Sequence, residues 1–165
     1  VLRSLDASDD DWGGSMKRKN QRGGAAVEFA LVLPILLACL FGTVQFGWLM
    51  SNYVMLTNAA SLGAHQLASE RGYATPYSDT QQAILASTAV LKSALTITMS
   101  VGGTTCSSDS TCASALGTST QAPTAGTEAR VSLGYAFAPL FGGALYGLKS
   151  IMPSSLSANM SELVQ

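Results

Sequence analysis

The sequence predicts an α+β chain: a long N-terminal helix that crosses a membrane, then a small antiparallel-sheet head with a second helix. Three observations predict it. Phe29 to Ser69 is a run of 41 residues without a formal charge, His65 counted as neutral. Leu49, Tyr53, Leu56, Ala60, Gly63 and Leu67 recur at spacings of three and four, one apolar stripe along a helix. Farther on, three segments alternate apolar with polar residues, the period of half-buried strands. The 165 residues suffice for one small domain and an appendage. Only 12% of them are charged, about half the share usual in soluble domains, and the apolar surplus excludes a disordered polar chain.

The charge that is present is placed unevenly. Arg3, Lys17, Arg18, Lys19 and Arg22 are five of the nine basic residues and all lie in the first 23 positions. Phe29 to Met50 is 22 residues, about 33 Å of helix against a hydrocarbon core of about 30 Å. A buried core helix is the alternative, but the remaining chain is too small to wrap one on all sides. Basic residues stay on the cytoplasmic side, so Lys17, Arg18, Lys19 and Arg22 put the N-terminus inside and everything after about Ser51 outside. Pro34 removes one helix hydrogen bond and is expected to kink or loosen the span. Trp48 and Tyr53 suit either an interfacial or a packing position. Cys39 is expected to be a plain apolar thiol within the span. Ala38 with Gly42 and Gly47 with Ser51 are small pairs that allow close helix packing.

The helix is expected to continue past the membrane and stop at Glu70-Arg71-Gly72, with Gly72 suited to the residue just beyond the end. Gly24 to Arg71 is then a stalk of roughly 70 Å. His65 on this helix reads as a packing or surface residue. After a turn at Tyr73 to Tyr77, Ser78 opens a second helix with Gln81 as its capping partner; Ile84, Thr88, Leu91 and Leu95 form its apolar side, to about Ser93. The strands follow at Leu95, Ile97, Met99 and Val101, at Val131, Leu133, Tyr135 and Phe137, and at Leu156, Ala158 and Met160. Residues 102–127 read as a long loop, since 16 of the 26 are Gly, Ser or Thr. Within it Cys106 and Cys112 are expected to form a small disulfide outside the cytoplasm, closing a loop worth about 2 kcal/mol of chain entropy. A metal or redox site there lacks further ligands or a C-x-x-C spacing.

Glu28 is the one acid at the threshold of the span. At the centre of a membrane helix an acid costs on the order of 2.5–3.5 kcal/mol, and less near the positive N-terminal end. It is either an acid that snorkels to water or one with a partner. An acid just inside the apolar stretch does not suit a secretory signal peptide, and the stretch is too long for one.

Gly23-Gly24-Ala25-Ala26-Val27-Glu28-Phe29 after a basic leader, followed by Ala-Leu-Val-Leu-Pro, resembles the TadE-like pseudopilins, minor pilins of the tight-adherence (Tad, Flp-type) branch of type IV pili. Asn58 to Ala64 is similar to that family's Ala-rich helix continuation. Val131, Leu133, Tyr135, Phe137 and Pro139 resemble its middle strand, and Ser157 to Met160 its last, so the likeness covers most of 17–165. The resemblance implies a cut by prepilin peptidase between Gly23 and Gly24, with Glu28 at mature position five and Phe29 at six. It also implies that Glu28 pairs with the new ammonium of Gly24, on its own or a neighbouring subunit, and so sets the axial register; two paired buried charges largely offset each other. Residues 1–15 are acidic and unlike such a leader, and a misplaced start site is one reading of them.

The expected organisation is a cleaved cytoplasmic leader at 1–23, a transmembrane helix at 24–50, its continuation at 51–72 and an extracytoplasmic head at 73–165. The implied partners are prepilin peptidase, other Tad pilins and pseudopilins, and the inner-membrane assembly platform. The implied place is the bacterial inner membrane, single-pass, with a periplasmic head or incorporation into an adhesive pilus that supports biofilm growth. No catalytic, metal or cofactor residues are expected. The acids after the span are scattered, and no Ser or Cys has a nucleophile context. A net charge of −1 gives no sign of nucleic-acid binding. The remaining readings are an uncleaved membrane-anchored binding or adaptor protein, a membrane-anchored enzyme, and a type II secretion pseudopilin, which should carry Phe where Gly24 stands.

Overall fold

The computed structural model describes residues 17–88, 91, 94–117, 126–141 and 152–165, with side chains from Gly23 onward. The first 16 residues of the expected leader, the expected helix end at Ser93 and the middle of the 102–127 loop lie outside the described residues. The chain divides into two compact units after Thr43.

The architecture is α+β, as the residue patterns imply. Helix α1 spans Lys17–Ser69 and contains Pro34 without ending there. From Gly23 to Leu40 every side chain is exposed, Leu31 by 72% and Ile35 by 62%, and this helix is long and apolar enough to cross a membrane.

In the second unit the same helix carries a buried face. Leu56, Ala59, Ala60, Ala64, Leu67 and Ala68 are buried in one core. The expected stripe is corrected at its start: Tyr53 is 43% exposed and Asn52 takes the inward position, its Nδ2 donating to the Trp48 carbonyl at 2.8 Å. Trp48 and Leu49 pack at the core's margin. The helix ends at Ser69 and the chain turns through Gly72 at φ 85°, a left-handed backbone that Gly adopts freely.

Helix α2 spans Pro76–Ser87. It begins two residues before the expected Ser78, because Pro76 holds the first-turn backbone and lacks only an N–H that would be unpaired there. Its N-cap Thr75 makes no side-chain cap; the Thr75 hydroxyl donates to Asp79 at 2.7 Å instead. Ile84 and Thr88 are buried, as their spacing implies, but α2 stops at Ser87, short of the expected end. Thr88 caps it, its N–H donating to the Ile84 carbonyl, Leu91 is buried beyond the helix, and Leu95 begins the first strand.

Strand β1 (Leu95–Val101) turns through Gly102 and Gly103 into β2 (Thr104–Cys106), where a strandless loop is expected. Both glycines have positive φ, 55° and 84°, the backbone of a two-residue hairpin whose twist matches its strands. Helix α3 (Asp109–Leu116) follows, also within the expected loop. Ser108 and Thr111 form a reciprocal capping box at its start, and Cys112 and Leu116, one turn apart, are both buried. Strand β3 (Glu128–Ala136) and β4 (Ser155–Leu163) complete an antiparallel sheet of order β2-β1-β3-β4. Met99 lies opposite Val131, and Leu133 opposite both Ile97 and Ala158. The inward residues of these strands share one core with α1, Ile84 and Leu116. Met160 is 38% exposed rather than inward.

Candidate processing and assembly site

Gly23, Gly24, Glu28 and Phe29 all lie on α1. Helical spacing puts Glu28 one turn beyond Gly24 on the same face, with about 6 Å between the two. Glu28 is exposed, Phe29 is 61% exposed, and among the described residues no hydrogen bond or ion pair holds the Glu28 carboxylate. A Cβ at Gly23 or Gly24 meets nothing within 4 Å. Each glycine inside a helix costs about 1 kcal/mol relative to Ala. Among the described residues no packing contact repays that cost. Pro34 follows six residues after Glu28 on the same helix. Lys17, Arg18, Lys19 and Arg22 fall in the first turns of α1, but their side chains lie outside the described residues.

Residues 23–65 match the TadE family model, described as TadE-like protein. The TadE-like segment therefore takes in the two glycines, Glu28, the exposed apolar half of α1 and most of its buried stripe. It stops before α2 and the sheet, so the head lies outside the match. No curated protein and no solved structure matches the chain.

Two further clusters lie in the head. Cys106 and Cys112 are both buried and both free thiols, and their side chains hydrogen-bond to each other. Burial pushes the Cys112 thiol up beyond the usual thiol range; the hydrogen bond with Cys106, and the charges of Cys106 and Asp109, add to this. Burial likewise raises Cys106, the hydrogen bond to Cys112 working against it. Thiols shifted upward hold little thiolate and are poor nucleophiles. Among the described residues no group of three or more His, Cys, Asp or Glu is placed to hold a metal ion.

Asp109 was not singled out by the sequence, yet it ties α3 to α2. Its carboxylate accepts from the Ser78 hydroxyl at 2.6 Å and from the Ser78 backbone N–H at 2.8 Å. It thus caps the first turn of α2 from another helix. These bonds hold the Asp109 carboxyl below its ordinary value, the Ser78 hydroxyl contributing most. On the opposite side of the head, His65 Nδ1 lies 3.2 Å from Glu162 and links α1 to β4 at the surface. Glu70 is buried and accepts from Gln66 one turn earlier.

Proposed function

We propose that this chain is a TadE-like minor pilin or pseudopilin, cut between Gly23 and Gly24 by prepilin peptidase and needed to assemble a Tad/Flp adhesive pilus. The observation that carries this reading is the TadE match over 23–65, because it covers the expected cut, Glu28 and the span together. That family comprises structural pilus components rather than enzymes. Cleavage leaves an ammonium on Gly24 one turn from Glu28. Two glycines that no described residue packs against suit an extended substrate backbone in a protease groove. The exposed apolar half of α1 has the surface of a segment that leaves lipid only for neighbouring subunits. Lys17, Arg18, Lys19 and Arg22 keep the leader cytoplasmic, so the head is periplasmic and the anchor single-pass in the inner membrane. There Cys106 and Cys112, already neighbours, are joined as a disulfide. The partners are prepilin peptidase, other Tad pilins and pseudopilins, and the assembly platform.

Mass spectrometry of the protein from membranes tests this. A peptide beginning at Gly24, lost when prepilin peptidase is deleted, is the expected result; an intact leader favours an uncleaved membrane-anchored adaptor instead. Glu28→Ala should insert and be cut normally yet fail to support piliation, and normal pili in that variant would remove the pairing role.

A further inference from the structure

The connector after β3 begins with an apolar stretch that the structure ties to α1 within its apolar run. β3 ends at Ala136, Phe137 is buried, and the chain continues as Ala138-Pro139-Leu140-Phe141. The Phe141 backbone N–H donates to Gln45 Oε1 at 3.4 Å. Gln45 is fully buried. Yet it sits inside the apolar run, five residues before its end at Met50, about 7 Å of helix. A polar side chain at that level avoids lipid by facing protein, and here the protein it faces is the connector. The bond therefore fixes the connector's backbone near the upper boundary of the hydrocarbon.

Among the described residues the side chains exposed around this point are mostly apolar. Leu140 is 53% exposed, and Val44, Phe46 and Met50 on the helix are 46%, 58% and 43% exposed. At about 100° per residue, Phe46 and Met50 lie on one flank of Gln45 and Val44 on the other. One protein partner would cover a single side of such a collar, whereas lipid covers all of it. The sequence agrees: Phe137 to Leu148, the first twelve residues of the connection, carry no charged side chain.

We infer that the Ala138–Phe141 connector dips into the boundary of the leaflet on the head's side, so that the head rests on lipid as well as hanging from its anchor. This rests on the reading of α1 as a membrane span. Its test uses the full chain in vesicles, with Trp12 and Trp48 replaced by Phe and a single Trp introduced at Leu140 or, in a second protein, at Leu36. The lipids carry bromine either close to the headgroup or close to the chain ends. Leu140→Trp should lose most of its emission to the shallow bromines, much less to the deep ones, and resist aqueous iodide. Leu36→Trp should be quenched most by the deep bromines. Iodide quenching of Leu140→Trp without lipid quenching, while Leu36→Trp still responds to lipid, overturns the inference and leaves the span standing. Protection of Leu140→Trp from both quenchers also overturns it, since a second protein copy then covers the connector. Loss of lipid quenching at both positions overturns the span and the inference together.

Discussion

The first half of α1, Gly23 to Leu40, exposes every side chain, whereas in the second half Leu56, Ala59, Ala60, Ala64, Leu67 and Ala68 are buried. The residue sizes are distributed opposite to intuition. Bulky Val27, Phe29, Leu31 and Ile35 stand on the exposed half, and the buried face is mostly Ala, with Gly63 at its centre. A helix facing fluid hydrocarbon is free to carry large side chains, because lipid tails adapt to any outline. A helix seated on a β-sheet must approach a fixed, close-packed surface, and small residues let it come near. On the proposed membrane placement, one continuous helix meets two apolar environments, and its composition changes with the environment rather than with its secondary structure.

The contrast can be broken most sharply by removing the same atoms from each half. Leu67→Ala empties a fully buried site and should cost about 2–5 kcal/mol of head stability. Leu36→Ala, at a position 54% exposed, should leave that stability unchanged. Urea unfolding of the full chain in detergent, followed through the head's sheet signal, distinguishes them; equal losses would mean that the two halves are not differently packed. The next largest effect comes from adding atoms. A Cβ at Gly63 would lie 2.7 Å from Ile84 Cδ1 and 3.4 Å from Val131 Cγ1, so Gly63→Val should cost about 1–3 kcal/mol by overpacking. Gly24→Ala meets nothing and should not lower the thermal midpoint at all.

The elements that were legible in the sequence are those whose apolar residues keep a period. The uncharged run from Phe29, the Leu56–Ala60–Gly63–Leu67 stripe and the Met99, Val131 and Leu133 alternation each write their environment directly into residue order. Helix α3 and strand β2 were hidden, because Gly, Ser and Thr dominate 102–127 and leave almost no apolar period to read. Their signals were chemical instead. Gly102-Gly103 between two β-rich stretches is a hairpin turn, and Ser108 with Thr111 is a capping pair ahead of Cys112 and Leu116. Within the candidate site, Gly23, Gly24 and Glu28 stand out because each is unfavourable for a plain apolar helix. Gln45 was passed over, because nothing local reveals that a connector almost a hundred residues later supplies its hydrogen bond. The cap that Asp109 places on α2 is equally invisible, since its partner Ser78 lies 31 residues away.

The same contrast extends to two carboxylates. Glu28 in the exposed half has no holder among the described residues, while Asp109 in the head accepts two hydrogen bonds from Ser78. The folded Asp109 carboxyl titrates below its ordinary value. A depressed folded value means that folding favours the ionised form. The stabilisation is therefore complete above the unfolded carboxyl's range, near pH 4, and is lost as pH falls through the folded value. Asp109→Asn should lower the thermal midpoint slightly at neutral pH and show a shallower fall below pH 4 than the parent protein. The effect is the smallest of the three, because the site is open to solvent and water competes for both bonds. Identical acid limbs for the two proteins, measured by thermal unfolding across that range, would mean that Ser78 does not hold the carboxylate in solution.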